Sequence, residues 1–152
     1  MGGSAKGALA LASCGLAMLV GAAPAAAAGQ RYEGLTSQEQ TMNLHANERG
    51  AATRAFLFWR ADCRHGRGFR NSTAFRAPLD RSGPSRFHDR RRYSAEKGDL
   101  KARYEAEIDG VRKSPRRFRG TFELTVRFFD DGVKYETCRV RDVRWSLTRV
   151  AR

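Results

Sequence analysis

Between Phe122 and Phe128 every second residue is large and apolar, and Thr121, Glu123, Thr125 and Arg127 alternate with them as polar neighbours. Successive side chains of a strand point to opposite faces, so this is the period of a strand with one buried face. Asp130-Asp131-Gly132 then turns the chain, and Cys138, Val140, Val143, Trp145 and Leu147 carry the return. A chain with this segment is committed to antiparallel sheet.

The face of Cys138 decides the register expected for that hairpin. A two-residue loop at Asp131-Gly132 would pair Thr125 with Cys138 and turn the cysteine outward among polar side chains. A three-residue loop, Asp130 to Gly132 with glycine left-handed, pairs Leu124 with Cys138, Phe122 with Val140, Glu123 with Arg139 and Thr125 with Thr137. The second is adopted. It places Lys134 and Glu136 on the inner face near an open tip. The inward set is even-numbered through Val140 and odd-numbered from Val143, so a β-bulge is expected near Asp142.

The first 28 residues read as a segment outside the fold. Lys6 supplies a positive start, Gly7 to Val20 an apolar run short for a bilayer span, and Pro24 with Ala26-Ala27-Ala28 a small-residue cleavage site. Residues 1–28 are therefore assigned as a secretory signal peptide and 29–152 as a single β domain. The alternative is a lipoprotein at Cys14, from Leu11-Ala12-Ser13-Cys14, against which the apolar run continues six residues past the cysteine. No transmembrane segment is expected in the mature chain, and the protein is expected to be secreted or in the cell envelope.

Without Lys6, 28 basic side chains face 16 carboxylates, a net charge of +12. There are 24 arginines and 5 lysines in the whole chain. Bidentate recognition of phosphate or carboxylate would favour arginine; so would a GC-rich genome, and codon usage is the preferred account of the ratio. It does not account for the net charge, which calls for a physical role. Cys63 and Cys138 remain once Cys14 is removed, an even number in an oxidising compartment with no metal-type spacing, and are expected to pair.

Further strands are expected at Tyr32 to Thr36, Thr41 to Ala46, Ala51 to Cys63 and Phe69 to Ala77. Pro78 to Ser85 breaks the pattern, Phe87 to Tyr93 is weakly patterned, and Leu100 to Ile108 alternates cleanly, with a short helix as the alternative there. Phe56 and Phe58 make the third strand apolar on both faces, as in a central or partly covered strand. The fold class is all-β: an antiparallel β-sandwich or flattened barrel of about eight strands with one disulfide.

The run Tyr32-Glu33-Gly34-Leu35-Thr36-Ser37-Gln38, a strand ending in Cys63, Arg119-Gly120-Thr121-Phe122, and Cys138 followed by Val143-Arg144-Trp145 resemble a group of small exported bacterial β-sandwich proteins of unknown function. These share a G-x-T-S-Q start, two cysteines and a C-terminal V-x-W strand. This chain departs from them after Cys138, where members tend to carry a glycine and it has Arg139 to Asp142. The resemblance implies an architecture and no catalytic residues.

No nucleophile elbow, phosphate loop or metalloprotease motif is present, and no catalytic residue, metal or cofactor is assigned. His65, in an Arg/Gly loop just after Cys63, is the one histidine considered as a ligand or base, with a solvated loop residue as the preferred account. His88 and Asp89, as strand neighbours, point to opposite faces and do not orient each other. Trp59 and Trp145 share faces with the cysteines and are assigned to the core.

Two basic clusters remain. Arg90, Arg91 and Arg92 cannot share one strand face and suit an edge or loop; Arg112, Lys113, Arg116, Arg117 and Arg119 surround Ser114-Pro115 and are expected in a loop. Charge that protects an edge strand is one account of them, anion binding another. The favoured function is a monomeric, non-enzymatic exported module in which the two clusters form one continuous basic surface that binds an anionic cell-wall polymer, nucleic acid or acidic partner without sequence specificity. The alternative is a small secreted enzyme or enzyme inhibitor using the loop around His65.

Overall fold

The computed structural model describes residues 29–77, 79, 83 and 85–151. Residues 1–28, expected as a signal peptide, lie outside the described residues together with the lipoprotein alternative at Cys14, as does most of the break between 78 and 85.

Eight strands and no helix form among the described residues: β1 (Gln30–Thr36), β2 (Thr41–Ala46), β3 (Ala52–Cys63), β4 (Phe69–Arg76), β5 (Arg86–Lys97), β6 (Leu100–Ser114), β7 (Arg117–Asp130) and β8 (Val133–Arg149). They make one antiparallel sheet in the order β4-β3-β2-β1-β8-β7-β6-β5. That order is an up-and-down ring closed between β1 and β8 and cut between β4 and β5. The sheet curls on itself, so that Phe75 of β4 meets Phe122 of β7 with ring centroids 6.3 Å apart. Side chains bridge the cut: Thr73 Oγ1 lies 2.9 Å from the Tyr93 hydroxyl, and Arg91 donates to the Arg76 carbonyl at 2.5 Å.

The alternation expected of β6 and β7 is seen in burial. Ala102, Tyr104, Ala106 and Ile108 face inward opposite Phe128, Val126, Leu124 and Phe122. Although it carries the helix formers Ala, Glu and Lys, β6 forms a strand because both its neighbours supply full ladders, which overrides helix propensity. The inner face is filled by Trp59, Tyr32, Phe75, Phe118, Phe122 and Trp145, each at most 3 % exposed. Trp59 donates to Thr73 Oγ1 at 3.0 Å and Trp145 to the Thr121 carbonyl at 3.1 Å, so neither indole N–H is left unsatisfied by burial.

The β7–β8 register differs from the expectation by two residues. Asp131 (φ 45°) and Gly132 (φ 78°) are both left-handed and form a two-residue turn, with Asp130 opposite Val133. A bulge at Tyr135 then shifts the pairing, so Cys138 faces Val126 and Val140 faces Leu124. The cysteine still lands on the buried face, because one bulge restores the parity that the shorter turn removes. Lys134 consequently faces outward beside Phe129, and of the two only Glu136 turns inward, opposite Phe128. The bulge expected near Asp142 is present: Phe122 pairs with Val143 and Leu124 with Val140, with Asp142 at φ 51°.

Cys63 and Cys138 are joined, as expected, and are direct cross-strand partners with Cα atoms 3.9 Å apart. This link is part of a short β3–β8 pairing that exists because β1 and β2 are short. Their connecting turn, Thr36 to Gln40, ends as a wedge between β3 and β8. Thr36 Oγ1 accepts from the backbone N–H groups of Gln38 and Gln40, both at 3.3 Å; Ser37 N donates to the Arg144 carbonyl at 2.7 Å; and Arg144 N donates to Ser37 Oγ at 3.1 Å. The Gln38 amide accepts from Arg60 N at 2.9 Å and donates to Arg60 O at 2.8 Å. Beyond that wedge β3 and β8 meet, at Asp62 with Arg139 and at Cys63 with Cys138.

Candidate anion-binding surfaces

The up-and-down order sends alternate turns to opposite ends. The β2–β3 and β6–β7 turns and the start and end of the described chain lie at one pole; the β1–β2, β3–β4, β5–β6 and β7–β8 turns lie at the other.

Apart from Arg116, the residues of the two basic clusters lie in strands. Arg90, Arg91 and Arg92 sit in β5, an edge strand, where register fixes their partners. Arg90 and Arg92 point outward and share Glu105, at 2.5 and 3.0 Å, and Arg90 lies 3.9 Å from Glu107. These contacts hold the Glu105 carboxyl below its ordinary range, its hydrogen bond from Arg92 being the largest cause. Arg91 faces inward and pairs with buried Asp89 at 2.7 Å.

The second cluster, expected in a loop, instead spans the last residues of β6 and the first of β7, with only Pro115 and Arg116 between the strands. The longer strands follow from the ladder reaching Ser114 opposite Arg117. Arg112 turns toward the β2–β3 turn, where its guanidinium covers Gly50 and donates to the Arg49 carbonyl at 3.3 Å. Lys113, Arg116, Arg117 and Arg119 are exposed, and among the described residues none makes an ion pair. Arg86 and Arg149 share this pole, also exposed and without ion pairs; Arg86 and Arg119 flank Val111 on the outer face. A depression of about 840 Å³ opens beside them, lined by Arg31, His45, Arg116 and Arg149 among others. Burial lowers the His45 pKa from its ordinary value, with Arg54 and Arg31 acting the same way against Glu33, which favours the neutral imidazole.

The structure does not place the two clusters side by side. Arg90 lies four residues along β5 from Arg86, about 13 Å, and the outer face beside them carries His88, Asp109 and Glu107. His88 Nδ1 is 3.0 Å from Asp109 Oδ1, and Glu107 completes a group of three ligand-type atoms within 4.8 Å of one another. His65 is 64 % exposed; Glu136, 3.7 Å away, spends its carboxylate on the backbone N–H groups of Arg64, His65 and Gly66 at 3.1, 2.8 and 2.9 Å. That carboxylate positions the loop and is not aimed at the imidazole.

At the opposite pole a cleft of about 550 Å³ lies where β3 and β8 meet, lined by Gln38, Asp62, Cys63, Arg64, Lys134, Thr137, Arg139 and Arg141. Sequence alone did not single out its four cations. They stand in separate short segments, and only the β3–β8 pairing collects them.

The chain matches no family model, no curated protein and no solved structure.

Proposed function

We propose that the protein is an exported, non-enzymatic binding module whose basic pole engages anionic polymers without sequence specificity. The observation that carries this reading is the set of exposed, unpaired cations at the β6–β7 turn: Lys113, Arg116, Arg117 and Arg119, with Arg86 and Arg149 beside them. In β5, by contrast, Arg90 and Arg92 are neutralised across strands by Glu105. Cations left without carboxylates repel one another, a cost in stability that an external anion would relieve. The resemblance to small exported bacterial β-sandwich proteins fits an extracytoplasmic setting.

The test is binding of duplex DNA and of a wall teichoic acid as a function of salt. With six or more phosphate contacts, affinity falls by about 10³ or more between 50 and 200 mM salt. Replacing Arg116, Arg117 and Arg119 together by serine weakens binding and flattens that dependence at a nearly unchanged melting temperature. Absence of binding at low salt, or an unchanged slope in the triple variant, overturns the proposal.

A further inference from the structure

We propose that the cleft at the β3–β8 junction is a second anion site, specific for a phosphate-type dianion such as a phosphomonoester or pyrophosphate group. It is separate from the basic pole and involves none of its residues.

Arg64, Lys134, Arg139 and Arg141 converge on this cleft, and among the described residues none of them makes an ion pair. Asp62, the cross-strand partner of Arg139, is the one carboxylate in the lining, which leaves it at +3. Arg139 and Arg141 also border a groove containing Glu105, Glu107, Glu123 and Asp142, yet no ion pair crosses to them. Concave walls focus the field of such charges, and an unneutralised group of this kind raises the local concentration of small anions.

The junction is built rigidly. The Cys63–Cys138 disulfide lies beside it, with Cys63 in its lining; Gln38 is fixed by its two bonds to the Arg60 backbone; and Glu136 orders the backbone that carries Arg64. Cations held on a stiff frame lose less side-chain entropy on binding than cations on a loop. Guanidinium forks match the oxygens of a phosphate bidentately, and a dianion with three terminal oxygens engages several such forks where a carboxylate engages one. The volume lies in the range of small-molecule sites rather than that of a bare phosphate ion, so the group is carried on a larger molecule.

The experiment is calorimetric titration of the oxidised protein with inorganic pyrophosphate, with inorganic phosphate and with acetate at low salt. Expected are pyrophosphate binding at or below about 1 mM, weaker phosphate and no measurable acetate. The double variant Arg139→Ala/Arg141→Ala weakens pyrophosphate about tenfold or more, whereas Arg116→Ser/Arg117→Ser/Arg119→Ser leaves it unchanged. Asp62→Asn, which raises the lining to +4, tightens it, a gain that misfolding does not produce. Equal affinity for acetate, no response to Asp62→Asn, or loss in the β6–β7 triple variant overturns the site. Polymer binding at the other pole is read separately, by its own variant and its salt slope.

Discussion

The side-chain amide of Gln38 occupies the place of a missing strand, accepting from Arg60 N and donating to Arg60 O at 2.9 and 2.8 Å. β2 begins only at Thr41, so without this residue the Arg60 backbone would face the junction unpaired. Gln38→Ala is expected to cost about 1–2 kcal/mol, two partly exposed bonds at the low end of their usual range. Gln38→Glu keeps the acceptor and loses the donor, and should cost less than the alanine. Urea midpoints at constant m-value decide it, and an alanine variant as stable as wild type would remove the amide's structural role.

The disulfide joins residues 75 apart in sequence at the only place where β3 and β8 pair among the described residues. In the chain-entropy account, closing such a loop contributes about 4–5 kcal/mol, a large share of the roughly 5–15 kcal/mol of a typical domain. Reduction and alkylation should therefore lower the guanidinium midpoint steeply. Free thiols in the oxidised, denatured protein would contradict the pairing.

Much of this fold is legible in the sequence because strand periodicity survives local irregularity. The alternation of β6 and β7, the shared face of Cys63 and Cys138 and the bulge at Asp142 all follow from which residues must be buried. The β7–β8 register does not, because a turn one residue shorter and a bulge at Tyr135 give the same facing of Cys138 as the three-residue turn, and no glycine marks Tyr135. The arginine run at 90–92 is misleading for a related reason. Its neutralising carboxylates, Glu105 and Glu107, are remote in sequence; pairing outward from the Gly98-Asp99 turn would have placed them opposite Arg92 and Arg90. The junction cleft has no linear signal, since its cations become neighbours only when β3 reaches β8.

Gly120 makes room for a tryptophan. A Cβ there would lie 1.8 Å from the Asp109 carbonyl oxygen and 2.3 Å from Trp145 Cζ2, in a core where Trp145 stacks against Phe87 with centroids 6.3 Å apart. Gly120→Ala should therefore destabilise by about 1–3 kcal/mol or more through overpacking, and shift tryptophan emission to the red as Trp145 is displaced. Gly132→Ala has open space around its Cβ and suffers only its left-handed φ of 78°, about 1 kcal/mol. Equal costs for the two would show that backbone conformation, not room for the indole, is what Gly120 provides.

Glu136 makes the 64–66 loop acid-sensitive. Its Oε1 accepts from Arg64 N and Thr137 N at 3.1 and 2.7 Å, and its Oε2 from His65 N and Gly66 N at 2.8 and 2.9 Å. Desolvation, the largest single influence, raises its pKa, but the four backbone donors together outweigh it and hold the carboxyl below its ordinary range. A folded value below the unfolded one means that the stabilisation is fully present above the unfolded pKa, about 4.3, and is lost as pH falls through the folded value. Amide exchange at Arg64, His65 and Gly66 should thus accelerate, beyond its intrinsic pH dependence, as pH is lowered from 5 toward 3. In Glu136→Gln the loop should be looser at pH 7 and lack that acid transition, while His65→Ala should keep it, since alanine retains the backbone N–H that Glu136 accepts from and the exposed ring stands 3.7 Å from the carboxylate. An acid transition that persists unchanged in Glu136→Gln would assign it to another carboxylate.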